Sequence, residues 1–307
     1  MIMLTRRYIP RPPLSAFVRC FWYAQGAGES HSRDSVAPAP LRDTAPHSGR
    51  TSSPAGSGDV PCARSFEKLL PTGEPSIVFD LGHDTIQLYD PRDLSLRKSY
   101  SAAVLAGARA DCFVIDTDQQ DRVAGIQFLP GGVFPFLRVP SSETEGITVD
   151  LEELWRGRAG EMRERLLAAP NVDSMFRILE RRLMAQLVRP LQLHPAVGYG
   201  IGQLQLAGSA GRVGTVIERT GLSSRRFIEL FHAEVGLTPK VFSRVRRFQQ
   251  VLQTIRQREE MNWADIALEC GYYDQAHFIH DFRSFSGLTP TEYMARATPH
   301  INHIPLL

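Results

Sequence analysis

At 307 residues, with 35 Lys and Arg against 33 Asp and Glu, the chain is long enough for two domains and so nearly neutral that its net charge of +2 singles out no partner. Its 43% hydrophobic and 22% charged residues are those of a globular protein, and no apolar run approaches the roughly 20 residues that span a bilayer. The four cysteines, Cys20, Cys62, Cys112 and Cys270, form no C-x-x-C pair, which argues against a structural zinc site and a disulfide scaffold. The N-terminus lacks a signal-peptide core, so a cytoplasmic protein with free thiols is expected, without membrane or cofactor.

Phe17 to Tyr23 is a short aromatic run that favours a strand. Residues 25–63 are rich in Ser, Pro, Gly and Ala with no apolar period, and read as a mobile insertion. From Leu69 to Leu137 the runs SIVFDLG, TIQLYD, SAAVLAG, CFVIDT and VAGIQFLPGG are β-branched and aromatic, separated by Pro, Gly and Asp. Their spacing predicts an antiparallel barrel or sheet with a central cavity. Chemistry is sparse there. The one histidine, His83, sits beside Asp84 in what reads as a solvated turn, and no phosphate-loop, dinucleotide or nucleophile-elbow motif occurs anywhere.

From Val149 the period becomes helical. Leu151, Leu154, Trp155, Met162 and Leu166 fall on one side of a first segment that ends at Pro170-Asn171. Met175, Phe176, Leu179, Leu183, Met184 and Leu187 form a second stripe. Such stripes are ordinarily core; pairing of two subunits is the alternative. Pro190 to Pro195 reads as the joint between an N-terminal domain, 1–189 (helical over 150–189), and a C-terminal one, 192–298.

Between Val213 and Met294 one pattern is written twice, as VGTVIERTGLSSRRFIELFHAEVGLTP and WADIALECGYYDQAHFIHDFRSFSGLTP. Phe227, Ile228 and Phe231 fall on Phe278, Ile279 and Phe282, and each copy closes on Gly-Leu-Thr-Pro. In each copy a short apolar helix ends at a glycine, Gly221 or Gly271, that permits a sharp turn. A capping residue, Ser223 or Ser224 in the first copy and Asp274 in the second, then starts the next helix, and Asn262 caps the short helix of the second copy. Thr238-Pro239 and Thr289-Pro290 open further helices, the latter with Glu292 in a capping box. This is a pair of helix-turn-helix units, each with a second helix shaped for a DNA major groove. Inward-facing Phe227, Leu230 and Phe231, and Phe278, Phe282 and Phe285, leave polar faces opposite.

The helix TPKVFSRVRRFQQVLQTIRQR joins the units. From Ser223 to Arg258 eight Lys and Arg oppose two acids, a balance of +6. A charge run is usually a solvated face, but beside two such units phosphate binding is the better account. Phosphate contacts are expected of Ser224, Arg226, Lys240, Arg244, Arg246, Arg247 and Arg283.

This region, Gln192 to Ala297, resembles the DNA-binding domain of the AraC/XylS family of bacterial transcription regulators. The segments LPTGEPSIVFDLG, FLPGGVFPFL and LEELW are similar to an N-terminal domain of one branch of that family, from which the 25–63 insertion departs. The resemblance implies an α+β protein, with a β-rich barrel-like domain that binds an effector, dimerises or both, followed by helices and an all-α double helix-turn-helix domain. It implies promoter DNA as partner, and admits RNA polymerase, a small-molecule effector and a second copy of the chain. Base-reading positions carry over onto Arg225, Ile228 and Glu229, and onto Gln275, Ala276, Ile279 and His280, where His280 replaces a common arginine. Arg225 can pair bidentately with guanine and Gln275 with adenine. The first unit and its helix are expected to grip phosphates, the second to discriminate. Two other readings are a constitutive DNA binder whose β domain only dimerises, and an enzyme domain tethered to DNA, for which no nucleophile–base set is present.

Overall fold

The computed structural model describes residues 4–26, 65–119, 121–205, 213–258 and 260–306. All but the first two residues of the expected insertion, 25–63, lie outside these, as does Cys62. Ten strands come first: β1 (Leu4–Tyr8), β2 (Val18–Gln25), β3 (Phe66–Leu69), β4 (Ser76–Asp80), β5 (Thr85–Tyr89), β6 (Arg97–Ser101), β7 (Ala103–Ala106), β8 (Phe113–Asp116), β9 (Arg122–Phe128) and β10 (Thr148–Asp150). Ten helices follow: α1 (Leu151–Trp155), α2 (Arg158–Leu167), α3 (Val172–Met184), α4 (Pro195–Gln205), α5 (Val213–Thr220), α6 (Ser224–Val235), α7 (Pro239–Gln257), α8 (Trp263–Glu269), α9 (Gln275–Ser286) and α10 (Pro290–Ala295). A last strand, β11 (His303–Leu306), closes the described chain. The fold is thus α+β, with the strands gathered before the helices.

The strands form two antiparallel sheets, in the orders β1-β2-β9-β4-β7-β10 and β11-β3-β8-β5-β6. Every predicted run became a strand, and β1, β3, β6, β10 and β11 came in addition. The core of the first sheet is filled: Phe21, Ile77, Phe79, Leu105, Ile126 and Phe128 are fully buried, in one apolar cluster with Leu151, Leu166, Leu179 and Leu183 from α1, α2 and α3. Both helical stripes therefore serve the core of their own chain. The first stripe is two helices. Arg156 (φ 52°) and Gly157 (φ 83°) both take left-handed backbone, and the Glu152 carboxylate accepts the Gly160 N–H at the start of α2. The break lets α1 and α2 each lay an apolar side against the sheet.

The helical region is fused to the strands. Leu70 belongs to the apolar cluster of α7, α8 and α9, and Ala108 to that of α4, α5 and α6. The β11 strand pairs with β3, Ile304 opposite Lys68, so the chain returns to the β region after its last helix. His83 is a turn residue: its N–H donates to Asp80 Oδ1 at 2.7 Å. Among the described residues no group of His, Cys, Asp and Glu could hold a metal, and no helix is long and apolar enough to cross a membrane.

Candidate nucleic-acid interface

The first unit, α5 and α6, turns on Gly221 (φ 71°), and the Ser223 hydroxyl caps α6 by accepting the Arg226 N–H at 3.3 Å. Phe227 and Phe231 are fully buried, and Phe231 meets Phe242 of α7 edge to face with centroids 5.5 Å apart. The second unit, α8 and α9, repeats this. Asn262 caps α8, Gly271 (φ 76°) turns the chain, and Asp274 accepts the His277 N–H at 2.7 Å. Phe278, Phe282 and Phe285 face inward, the last two packing 5.2 Å from Phe248 of α7. Thr289 and Glu292 form the expected capping box at α10. His277 lies edge-on to Tyr272 at 5.3 Å.

Burying these phenylalanines presents the opposite faces of α6 and α9 to solvent. On α6, Ser224, Arg225, Arg226, Ile228 and Glu229 are exposed; on α9, Gln275, Ala276, His280 and Arg283 are exposed and Ile279 is half-buried. Arg225, 90% exposed, donates from Nε to Glu229 Oε1 at 2.9 Å, so the two expected readers already form one unit; that hydrogen bond raises the arginine pKa. Lys240 is also exposed, at the start of α7. The turn residue Tyr273, beside the α9 cap, is 88% exposed and did not stand out in the sequence. Its signal was the Tyr-Tyr pair itself: one ring, Tyr272, packs inward, so its neighbour is left in solvent.

Three expected phosphate contacts are instead given intramolecular partners. Arg244 Nη2 binds Asp281 Oδ1 at 2.6 Å, which ties α7 to α9 and raises the Arg244 pKa. Arg247 donates to the Gly271 carbonyl at 3.3 Å and lies over the buried Tyr272 ring. Burial lowers the pKa of Arg246, whose Nη1 reaches Glu74 Oε1 in the β region at 3.5 Å. Glu74, only 6% exposed, also accepts from Arg19. These guanidiniums hold α7 in place, a role the sequence reading, which expected phosphate contacts of them, did not include.

At 19 residues α7 is about 28 Å long, close to the rise of one turn of duplex DNA, roughly 34 Å. The β region sets its position. Gln249, buried, donates to the Pro71 carbonyl and to Asn302, each at 2.8 Å, and Lys68 Nζ donates to the Ser286 carbonyl at 3.4 Å. The first unit is held separately: His232 Nε2 lies 2.7 Å from Glu145 Oε2, and the Glu234 carboxylate accepts the His194 N–H at 2.9 Å. The pKa of Glu234 is raised by burial.

A helix-turn-helix domain model matches residues 216–296, and a model described as a domain of unknown function (DUF6597) matches residues 55–150. An uncharacterized HTH-type transcriptional regulator of Haemophilus influenzae is 29% identical over 119 residues, 39% of this chain and 35% of that protein. The probable transcriptional regulator LumQ of Photobacterium leiognathi is 31% identical over 72 residues, 24% of this chain and 29% of that protein. The chain spans about a third of the length of these curated relatives. The crystal structure of ToxT from Vibrio cholerae O395 is similar over 76% of this chain and 93% of that one, at 9% identity and a TM-score of 0.40. Residues 216–296 are a helix-turn-helix domain of the AraC type, preceded in the chain by a domain of unknown function.

Proposed function

We propose that this chain is a sequence-specific DNA-binding transcription regulator acting at promoter DNA, with RNA polymerase the machinery it serves. The observation that carries the reading is the pair of capped helices, α6 and α9, each with a solvent-facing polar side and joined by one helix. Arg225, Ile228 and Glu229 read bases from α6, and Gln275, Ala276, Ile279 and His280 from α9. Arg225 suits a guanine and Gln275 an adenine, because each presents the matching bidentate donor or donor–acceptor edge. Ser224, Arg226, Lys240 and Arg283 contact phosphates. Arg244, Arg246 and Arg247 act one step back, by fixing the angle between the units.

The domain that precedes the units serves in this reading as the control element, through an effector or a second copy of the chain. Selection of bound sequences from a random duplex library with the full chain, followed by fluorescence anisotropy, tests the proposal. The selected sequence is expected to bind in the nanomolar range, about 10⁻⁸ M, with affinity falling steeply with salt. Equal affinity for the selected and a scrambled duplex would remove it.

A further inference from the structure

Two open cavities lie side by side where α1, α2 and the end of α3 meet. One, of about 360 Å³, is lined by Arg158, Glu161, Met162, Arg182, Ala185 and Gln186. The other, of about 210 Å³, shares Arg158, Ala185 and Gln186 with it. Their charges differ. In the larger, Glu161 stands in the wall and pairs with Arg182, which also lines it, at 2.9 Å, and with Arg165 outside it at 3.0 Å. The smaller is lined by no acidic residue, yet Arg138, Arg156 and Arg158 stand at it. Among the described residues these three form no ion pair, and Arg158 has only a 3.5 Å contact to Gln186. The rest of its wall is Gln186 together with the apolar Phe136, Leu154, Trp155, Ala185, Leu187 and Val188.

Two further observations mark the same cavity. Trp155 is 5% exposed, and its indole Nε1–H is buried with no acceptor. A buried indole N–H ordinarily finds one. Among the described residues Arg156 is the non-glycine residue with a positive φ, 52°, and its backbone forms the α1–α2 turn at the cavity wall. Guanidiniums bind carboxylate or phosphate oxygens in pairs, and an apolar wall takes a hydrocarbon body. We infer that the α1–α2–α3 cavity is a binding site for a compact amphiphilic anion, a carboxylate or phosphate on an apolar body, and that its occupancy biases the first recognition helix.

The wall of the cavity is continuous with the supports of α6. Val188 N–H donates to the Pro135 carbonyl at 3.0 Å, and Arg189 donates to the carbonyls of Phe134 and Arg138, each at 3.2 Å, and of Leu137. Segments 134–138 and 187–189 are therefore tied directly to each other. Arg138 leads into the short 3-10 helix Ser141–Thr144, above which Gly236 at the end of α6 packs, and then into Glu145, the partner of His232. Arg189 leads to His194, the partner of Glu234. An anion that draws Arg138 and Arg158 together would shift both supports. Only this coupling half rests on the DNA-binding reading.

Isothermal titration of the full chain with phenylacetate, phenyl phosphate and neutral phenylacetamide tests the site. One or both anions are expected to bind at about millimolar affinity or tighter, and the amide at least about tenfold more weakly. Arg138→Gln and Arg158→Gln, at exposed positions that leave the thermal melt unchanged, are each expected to weaken the anions about tenfold. The tighter of the two anions identifies the headgroup. Equal binding of amide and anions, or binding indifferent to both variants, overturns the site. For the coupling, a saturating anion is expected to change affinity for the selected duplex about fivefold or more relative to acetate at the same ionic strength, and not in Arg158→Gln. An unchanged affinity overturns it. If no anion binds while the chain still selects a sequence, the site falls and the DNA reading stands; binding without sequence selection has the reverse meaning.

Discussion

The two helix-turn-helix units are written in nearly the same residues and are held in place by different means. The first leans on the β region through His232 on Glu145 and Gly236 against Ser141 and Ala108, and on the segment that starts α4 through Glu234 and the His194 amide. The second is built on its own aromatic core, in which Phe248, Phe278, Phe282 and Phe285 interlock within about one ring diameter. Repetition in sequence fixes the shape of a unit, while the neighbours of each unit decide what can move it. The β region meets the first through polar contacts at Glu145 and the close approach of Ser141, and the second through α7, Lys68 on the Ser286 carbonyl and the returning strand β11.

The largest expected effect comes from breaking the second core. Phe248→Ala removes a fully buried ring that touches both Phe282 and Phe285, and should cost about 3–5 kcal/mol. Hydrogen exchange should then show α8 and α9 losing protection before α6, which keeps its own supports. Uniform loss across both units would show that they fold as one body.

Next come the arginines of α7 against the free cation at its start. Arg246→Ala leaves the nearly buried Glu74 with Arg19 alone and should cost about 1–3 kcal/mol of stability, measured by urea unfolding. The folded variant should keep its salt dependence on the selected duplex. Lys240→Ala should do the opposite, with stability within about 0.5 kcal/mol and a salt slope smaller by about one. Were Arg246→Ala to change the slope as Lys240→Ala does, its contact with Glu74 would be one that opens on DNA. Comparable in size is the loss of base reading. Arg225→Ala and Gln275→Ala should each relax specificity by about 1–3 kcal/mol at one position of the site. Measured against all four bases, the two positions should lie about one helical turn apart, since α7 sets their spacing.

How far the sequence was legible follows from the distance over which each feature is decided. The caps at Ser223, Asn262, Asp274 and Thr289 bind amides two or three residues away, so their side chains announce them. The inward phenylalanines follow from a period within one helix. The fates of Arg244 and Arg246 depend on Asp281 and Glu74, 37 and 172 residues away, and nothing near the arginines encodes them. Likewise β1 (LTRRY) and β6 (RKSYS) are polar strands that exist through pairing with β2 and β5. The break at Arg156-Gly157 was hidden because the apolar stripe reads across it. The strand β11 went unseen for the same reason as β6: its identity lies in β3, more than 230 residues earlier.

That returning strand gives the smallest and most specific test of how the second unit is tethered. His303 Nδ1 lies 2.8 Å from Glu67 Oε2, and this hydrogen bond holds the Glu67 carboxyl below its ordinary pKa, against the opposing effect of burial. A carboxyl whose folded pKa is lowered releases its proton more readily in the folded than in the unfolded chain. The unfolded chain therefore binds more protons between the two values. The contribution is then complete above the unfolded value, about 4.3, and is lost as the pH falls through the lower folded one. Because both side chains are partly exposed, it should not exceed about 1 kcal/mol. Urea midpoints of the wild type and Glu67→Gln should differ at pH 6 and converge towards pH 3. A gap of equal size at both pH values would mean that the carboxylate charge contributes nothing, and that the ladder with β3 and the buried Ile304 alone hold the end of the chain to the β region.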